Sequence, residues 1–198
     1  HHPPTDQTIL ANILEKATDK DGDSIRLTYE WFVDGKQVQS GPSAVLNQTK
    51  TAKHQKWQLR VTPNDGQVNG DMVMIDFTIR NTPPTTPRIA VSNRHPLSNQ
   101  PSTVKITAPS RDIDGDKLSY HYRWYRDGQL MKQWPLTKKG LLTADTKKGE
   151  HWRVEVAPYD GEEEGKPAYA QVVIHNTPPQ QPTVAVRPTT PFTTDDLH

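Results

Sequence analysis

The sequence predicts an all-β chain: two tandem seven-strand-type antiparallel β-sandwiches, followed by the first strand of a third repeat. Three observations predict it. An acidic turn, a tryptophan-bearing strand and a hairpin turn come as Asp19-Lys20-Asp21-Gly22-Asp23, Leu27-Thr28-Tyr29-Glu30-Trp31 and Asp34-Gly35. The same series returns as Asp112-Ile113-Asp114-Gly115-Asp116, Leu118-Ser119-Tyr120-His121-Tyr122-Arg123-Trp124 and Asp127-Gly128. Asp21 and Asp114 lie 93 residues apart, as do Trp31 and Trp124. Apolar residues fall in short alternating runs, and 18 prolines with 11 glycines suit many strands and tight turns better than helices.

A repeat of this length divides the 198 residues into units large enough for a sandwich core each. The reading is a first repeat over 1–81 that lacks its first strand, a second over 82–176, and a linker with a truncated third over 177–198. Apolar content of 32% and a mean hydropathy of −0.85 raise the prospect of disorder, which the strand-like placement of those residues answers.

The second copy is the fuller one. Asn81-Thr82-Pro83-Pro84-Thr85-Thr86-Pro87 is a stiff linker. Strands follow over 88–91, 103–107 and 118–125; Asp127-Gly128 turns the chain into 129–134. A weak strand over 141–144, a clear one over 151–156 and a last one over 168–174 complete seven. The first copy matches from 11–14 onward, with 57–61 and 72–79 as its closing strands. At the far end Pro182-Thr183-Val184-Ala185-Val186 repeats Pro87-Arg88-Ile89-Ala90-Val91. An unpartnered strand at one end and a vacancy at the other invite exchange between copies. The opening His1-His2-Pro3-Pro4 reads as a processed start or the remnant of a tag, and the whole as a window on a longer array.

Leu-x-Tyr-x-Tyr-x-Trp, Asp-Gly, Trp-x-Val-x-Val and Asn-Thr-Pro-Pro resemble the tandem immunoglobulin-like repeats of bacterial secreted and surface proteins, close to fibronectin-type-III and polycystic-kidney-type repeats. The resemblance covers nearly the whole chain. It implies stalks, adhesins and accessory modules at the cell surface or outside the cell. The two cysteines of antibody-type domains are missing, so Trp31 and Trp124 are expected to pack on aliphatic residues.

The acidic turns are the main candidate site. In such a sandwich the loop between strands two and three shares a pole with the loop between the last two. Asp112, Asp114 and Asp116 then approach Asp160, and Asp19, Asp21 and Asp23 approach Asp65. Carboxylates in contact repel by about 4 kcal/mol per pair at an effective dielectric near 20, which a structural Ca²⁺ relieves. The spacing is not that of an EF-hand, since Arg123 falls where its twelfth-position glutamate belongs. Against the metal stands the habit of aspartate to satisfy its own loop amides.

Trp31, Trp57, Trp124 and Trp152 repeat and read as core. Trp134 has no counterpart and, with Tyr125, is the candidate sugar-stacking pair, although a packed edge residue is the plainer reading. Eight histidines are scattered without metal-ligand spacing, and neither a Gly-x-Ser-x-Gly elbow nor a phosphate-binding glycine loop occurs. No catalytic residue is assigned. With a net charge of +1 and mixed signs, no nucleic-acid face is expected, and no apolar run is long enough for a membrane helix. The expected partners are neighbouring repeats of the same chain, and other copies through strand exchange. The leading expectation is a non-catalytic structural module of a surface, stalk, adhesin or fibre-forming protein. A carbohydrate- or protein-binding module and an accessory domain of a larger secreted enzyme are the alternatives.

Overall fold

The computed structural model describes residues 2–185. The first sandwich is built from β1 (Ile9–Leu10), β2 (Arg26–Val33), β3 (Lys36–Gly41), β4 (Val45–Leu46), β5 (Lys56–Asn64) and β6 (Val73–Thr78). The second is built from β7 (Arg88–Val91), β8 (Ser102–Ala108), β9 (Ser119–Arg126), β10 (Gln129–Leu130), β11 (Gly140–Leu141), β12 (His151–Tyr159) and β13 (Ala168–Val173). All strand pairings between these elements are antiparallel.

Each repeat has the same four-stranded sheet, in order β3-β2-β5-β6 and β10-β9-β12-β13. Its hairpin is set by the Asp-Gly pairs. Asp34 and Gly35 have φ of 47° and 82°, Asp127 and Gly128 of 47° and 84°, the double left-handed turn whose twist matches two paired strands. Val33 therefore pairs with Lys36, and Arg126 with Gln129. Successive residues then alternate faces, which sends Trp31 and Trp124 inward.

The second sheets differ. In the second repeat β8 runs between β11 and β7; in the first only β1 and β4 pair. The strand expected over 11–14 is absent, because among the described residues no element stands beside it in the place that β7 takes beside β8. The segment 129–134 keeps strand geometry only over Gln129–Leu130, and 141–144 only at its start before a 3-10 turn at Thr143–Asp145. Of the expected third repeat, 182–185 carry no strand pairing, and 186–198 lie outside the described residues.

Two cores result, with no residue in common. One gathers Tyr29, Trp31, Leu46, Trp57, Leu59, Val61 and Ile79; the other centres on Trp124, Trp152, Val154, Val156 and Val172. The tryptophans meet aromatic rather than purely aliphatic neighbours. Trp124 lies edge-on to Trp152 at 6.3 Å, and Trp31 edge-on to Phe77 at 6.3 Å. Edge-to-face pairs of this kind add about 0.5–1.5 kcal/mol beyond the burial of their area. Trp124 Nε1 donates to Lys138 O at 2.8 Å, whereas Trp31 Nε1 is buried without a partner. Among the described residues no helix is long and apolar enough to cross a membrane.

Candidate functional site at the repeat junction

Both acidic loops are wound by their first aspartate. Asp19 Oδ1 accepts the amides of Asp21 (2.8 Å) and Asp23 (3.2 Å); Asp112 Oδ1 accepts those of Asp114 (2.8 Å) and Asp116 (3.3 Å). Gly22 and Gly115 sit at φ of 83° and 80°, a conformation that a side chain would strain. The two loops thus have one local structure and differ in what faces them.

The second repeat's loop faces the linker and the end of the first repeat. Lys53, on the loop before β5, places its ammonium 2.6 Å from Asp116 Oδ2, 2.5 Å from Glu162 Oε1 and 3.3 Å from Asn81 Oδ1. His54 Nε2 lies 3.1 Å from the same glutamate oxygen. Thr82 N–H donates to Asp114 Oδ2 at 3.0 Å, and the buried Asn81 donates through Nδ2 to Asp160 Oδ2 at 2.8 Å. Thr85 N–H donates to Arg111 O at 2.9 Å, while Thr85 Oγ1 accepts Arg111 N–H at 2.8 Å. Side chains of both repeats and the backbone between them share one polar network.

His54 holds φ at 69°, where the second repeat has Gly149 at 85°. Both donate a backbone bond to the end of the last strand, to Ile79 O at 2.7 Å and to Ile174 O at 2.8 Å. A left-handed histidine costs about 1 kcal/mol over glycine. The strain accompanies the one copy whose ring reaches Glu162.

Charge is balanced within the network. The hydrogen bonds that Lys53 donates to Asp116 and then Glu162 raise its ammonium above its ordinary value. The Lys53 bond, then that of His54, holds Glu162 below the usual carboxylate range. Burial pushes Asp160 up, but Asn81, the amides of Glu163 and Glu162 and the Lys53 charge together outweigh it and leave it lowered. A lowered carboxylate stabilises the fold above its ordinary value and loses that contribution as pH falls through the folded one. The raised lysine loses its contribution only at the alkaline end. We therefore expect the junction to loosen below the ordinary glutamate value of 4.5, with both sandwiches still folded. Small-angle scattering beside tryptophan fluorescence checks this. Lys53→Met should loosen the joint at neutral pH and flatten the acid step; an unchanged profile in the variant would show that the lysine does not hold it.

The structure sorts the residues named from sequence. Asp112, Asp114 and Asp116 bring carboxylate oxygens within 4.8 Å of one another, and theirs is the metal-competent group among the described residues. Asp112 Oδ2 is buried without a hydrogen-bond partner. Asp160 is not in that group, since Asn81 and the amides of Glu162 and Glu163 take its oxygens. Asp19, Asp21, Asp23 and Asp65 are not gathered. Asp65 Oδ1 accepts the amides of Gln67 (2.7 Å) and Val68 (2.8 Å), the latter and then the former holding its carboxyl below the usual range. Loop amides a few residues away are nearer partners than a carboxylate across the pole.

Trp134 stacks on Trp152 at 5.2 Å with 6° between planes, and Lys138 Nζ sits 4.4 Å over its ring. A sugar could stack there only by displacing one of them. Tyr125 lies on the opposite face of β9 from Trp124, bonded to Glu155 Oε2 at 3.0 Å beneath the Arg153 guanidinium at 4.3 Å. The two aromatics do not form a common platform.

Sequence reasoning missed Lys53, Glu162 and Gly165. A side-chain carbon at Gly165 would overlap the Pro84 carbonyl oxygen and stand 2.9 Å from Pro158 Cγ, so the linker seats only against a glycine. A signal did exist for the lysine: Lys53 and Asn81 recur as Lys148 and Asn176, both 95 residues on.

This architecture defines the class of molecule, a tandem of antiparallel β-sandwiches with a built joint. The solved structures to which the chain is similar include fibronectin type III domains and fibronectin(III)-like modules. A two-domain fibronectin type III segment from chicken tenascin matches at 16% identity and a TM-score of 0.40, over 75% of this chain and 83% of that one. The fibronectin(III)-like modules of Clostridium thermocellum CbhA match at 13% and 0.32, over 81% and 83%. The FN1–FN3 domains of chicken CNTN1 match at 12% and 0.36 over 78% of this chain, which spans 55% of that one. No protein-family model and no curated protein matches the chain.

Proposed function

We propose that the chain is a non-catalytic structural repeat module of an extracellular surface, stalk, adhesin or fibre-forming protein, in which the joint sets the angle between neighbours. The observation that carries this reading is the network of Lys53, Asn81, Thr82, Asp114, Asp116 and Glu162, drawn from both repeats and the linker. A chain selected only to tether two sandwiches needs no such contacts. Placement outside the cell rests on the resemblance of the repeat motifs.

Calcium is the finer part of the proposal. Asp112, Asp114 and Asp116 are the residues that would hold it, with water completing the 6–8 oxygens that the ion prefers. The orphaned Asp112 oxygen fits a cation, while Lys53 beside Asp116 competes with one. The reading is therefore one weak site in the second repeat, stiffening the joint and taking no part in chemistry. Calcium should raise the melting temperature by several degrees over chelator, about what 1 kcal/mol does in a domain of this size. Lys53→Met should bind calcium more tightly than the parent, because the competing ammonium is gone. Equal melting and scattering in calcium and chelator, for both proteins, would remove the ion and leave the hydrogen-bonded network as the lock.

A further inference from the structure

The fold brings together two of the eight histidines, which the sequence holds 80 residues apart. His95 lies on the loop that joins β7 to β8, and His175 two residues past the end of β13. Their ring centroids are 5.2 Å apart with 85° between planes, and both residues are exposed. The backbone beneath them is clasped. Arg94 O accepts Val173 N–H at 2.8 Å, Pro96 O accepts His175 N–H at 2.8 Å, and Ser98 N–H donates to His175 O at 2.9 Å. Asn93 Oδ1 accepts His95 N–H at 2.9 Å. With both main chains fixed, only the side-chain torsions of the two rings remain to be ordered by a shared ligand.

The ring nitrogens are unspent. His54 and His121 commit a nitrogen to Glu162 and Glu164, whereas among the described residues neither the His95 nor the His175 ring enters a hydrogen bond or ion pair. Imidazole suits Zn²⁺, Cu²⁺ and Ni²⁺. Such an ion sits about 2.0–2.1 Å from the nitrogen and in line with the ring, hence about 3.2 Å from its centroid. At a tetrahedral angle two such centroids stand about 5.2 Å apart, the separation these rings already have. We propose that His95 and His175 form a two-imidazole site for a divalent transition ion of the zinc class, with water in the remaining positions. The pair falls short of the three donors of the acidic loop and reaches four-coordination only with that water. An ion there would tie the loop over 94–98 to the end of the last strand. Calcium prefers oxygen ligands, so this site and the calcium reading are independent.

The first repeat supplies the control. It closes the same clasp, with Pro4 and Arg80 bridged as Leu97 and His175 are, and with Arg80 N–H donating to Pro3 O at 3.0 Å. The backbone thus belongs to both copies. Arg80 stands where the second repeat has His175, so the pair of imidazoles belongs to one.

The test titrates Zn²⁺ into the 198-residue chain and follows the imidazole resonances one by one, so that binding at other histidines is read separately. The His95 and His175 rings should shift and saturate together, and Ca²⁺ should move neither. His175→Arg puts the first repeat's residue on the same clasp and should keep the fold. It should weaken zinc binding at His95 by about a hundredfold or more, since losing even an outer partner of a metal ligand costs about 10–100-fold. His95→Ala should do the same at His175. Rings that shift at different zinc concentrations overturn the proposal. So does a His175→Arg chain whose His95 binds as tightly as in the parent, since the contact would then be an ordinary edge-to-face pair.

Discussion

Trp152→Ala will unfold the second repeat while the first keeps a melting transition of its own. Trp152 is 1% exposed and central to its core: Trp124 meets it edge-on, Trp134 stacks on it, and its Nε1 donates to Glu150 Oε2 at 3.0 Å. Truncating a buried tryptophan to alanine costs about 3–5 kcal/mol, against a typical domain stability of about 5–15 kcal/mol. The loss is enlarged here because Trp134 would lose the surface on which it stacks. The first repeat has a separate core around Trp31 and Trp57 and should lose only what the joint contributes. Calorimetry should show one transition shifted far down or missing and the other nearly in place. A single transition that moves as a whole would mean that the two sandwiches unfold as one unit.

Gly165→Ala is the second large effect, and its control is built into the chain. The added carbon would overlap the Pro84 carbonyl oxygen, which belongs to backbone already fixed by the Thr82–Asp114 and Thr85–Arg111 bonds. Forcing a methyl into a packed place costs about 1–3 kcal/mol, and here the linker must move to admit it. Gly70 occupies the same position in the first repeat and donates to Pro63 O at 2.9 Å, as Gly165 does to Pro158 O. A carbon at Gly70 would meet Pro63 Cγ at 3.1 Å and no linker. Gly165→Ala should therefore lower stability and widen the range of inter-repeat angles in scattering, whereas Gly70→Ala should do little. Equal effects from the two would show that the glycine serves its own turn and not the joint.

What could be read from the chain beforehand was local. Asp34-Gly35 and Asp127-Gly128 specify their hairpins through backbone preference alone, and Trp31, Trp124 and Trp152 fall inward because a strand alternates. The acidic loops were legible for the same reason, since Asp19 and Asp112 bond amides two and four residues on. What was not legible depended on distant partners. The alternation over 11–14 looks like a strand, but a strand at a sheet edge forms only with a neighbour beside it. Asp65 has the same spacing as Asp160, yet Asp160 meets Asn81 and the charge of Lys53 from the preceding repeat while Asp65 meets the amides of its own loop. Lys53 sits in a polar stretch with nothing local to distinguish it. Its role arises because the fold carries it to Asp116, 63 residues away, and to Glu162, 109 away.

The residues that lock the joint have copies at the far end of the second sandwich, where Lys148, Asn176 and Thr177 stand as Lys53, Asn81 and Thr82 do. Applying one joint again and again is a single rotation with a single translation, so every added brick would advance by the same twist and the same step. A polymer of such bricks is a spiral rod whose pitch is written in a handful of side chains. Its stiffness would then respond to acidity along the whole length at once, wherever a bend sets such a lysine against carboxylates as Lys53 is set against Asp116 and Glu162.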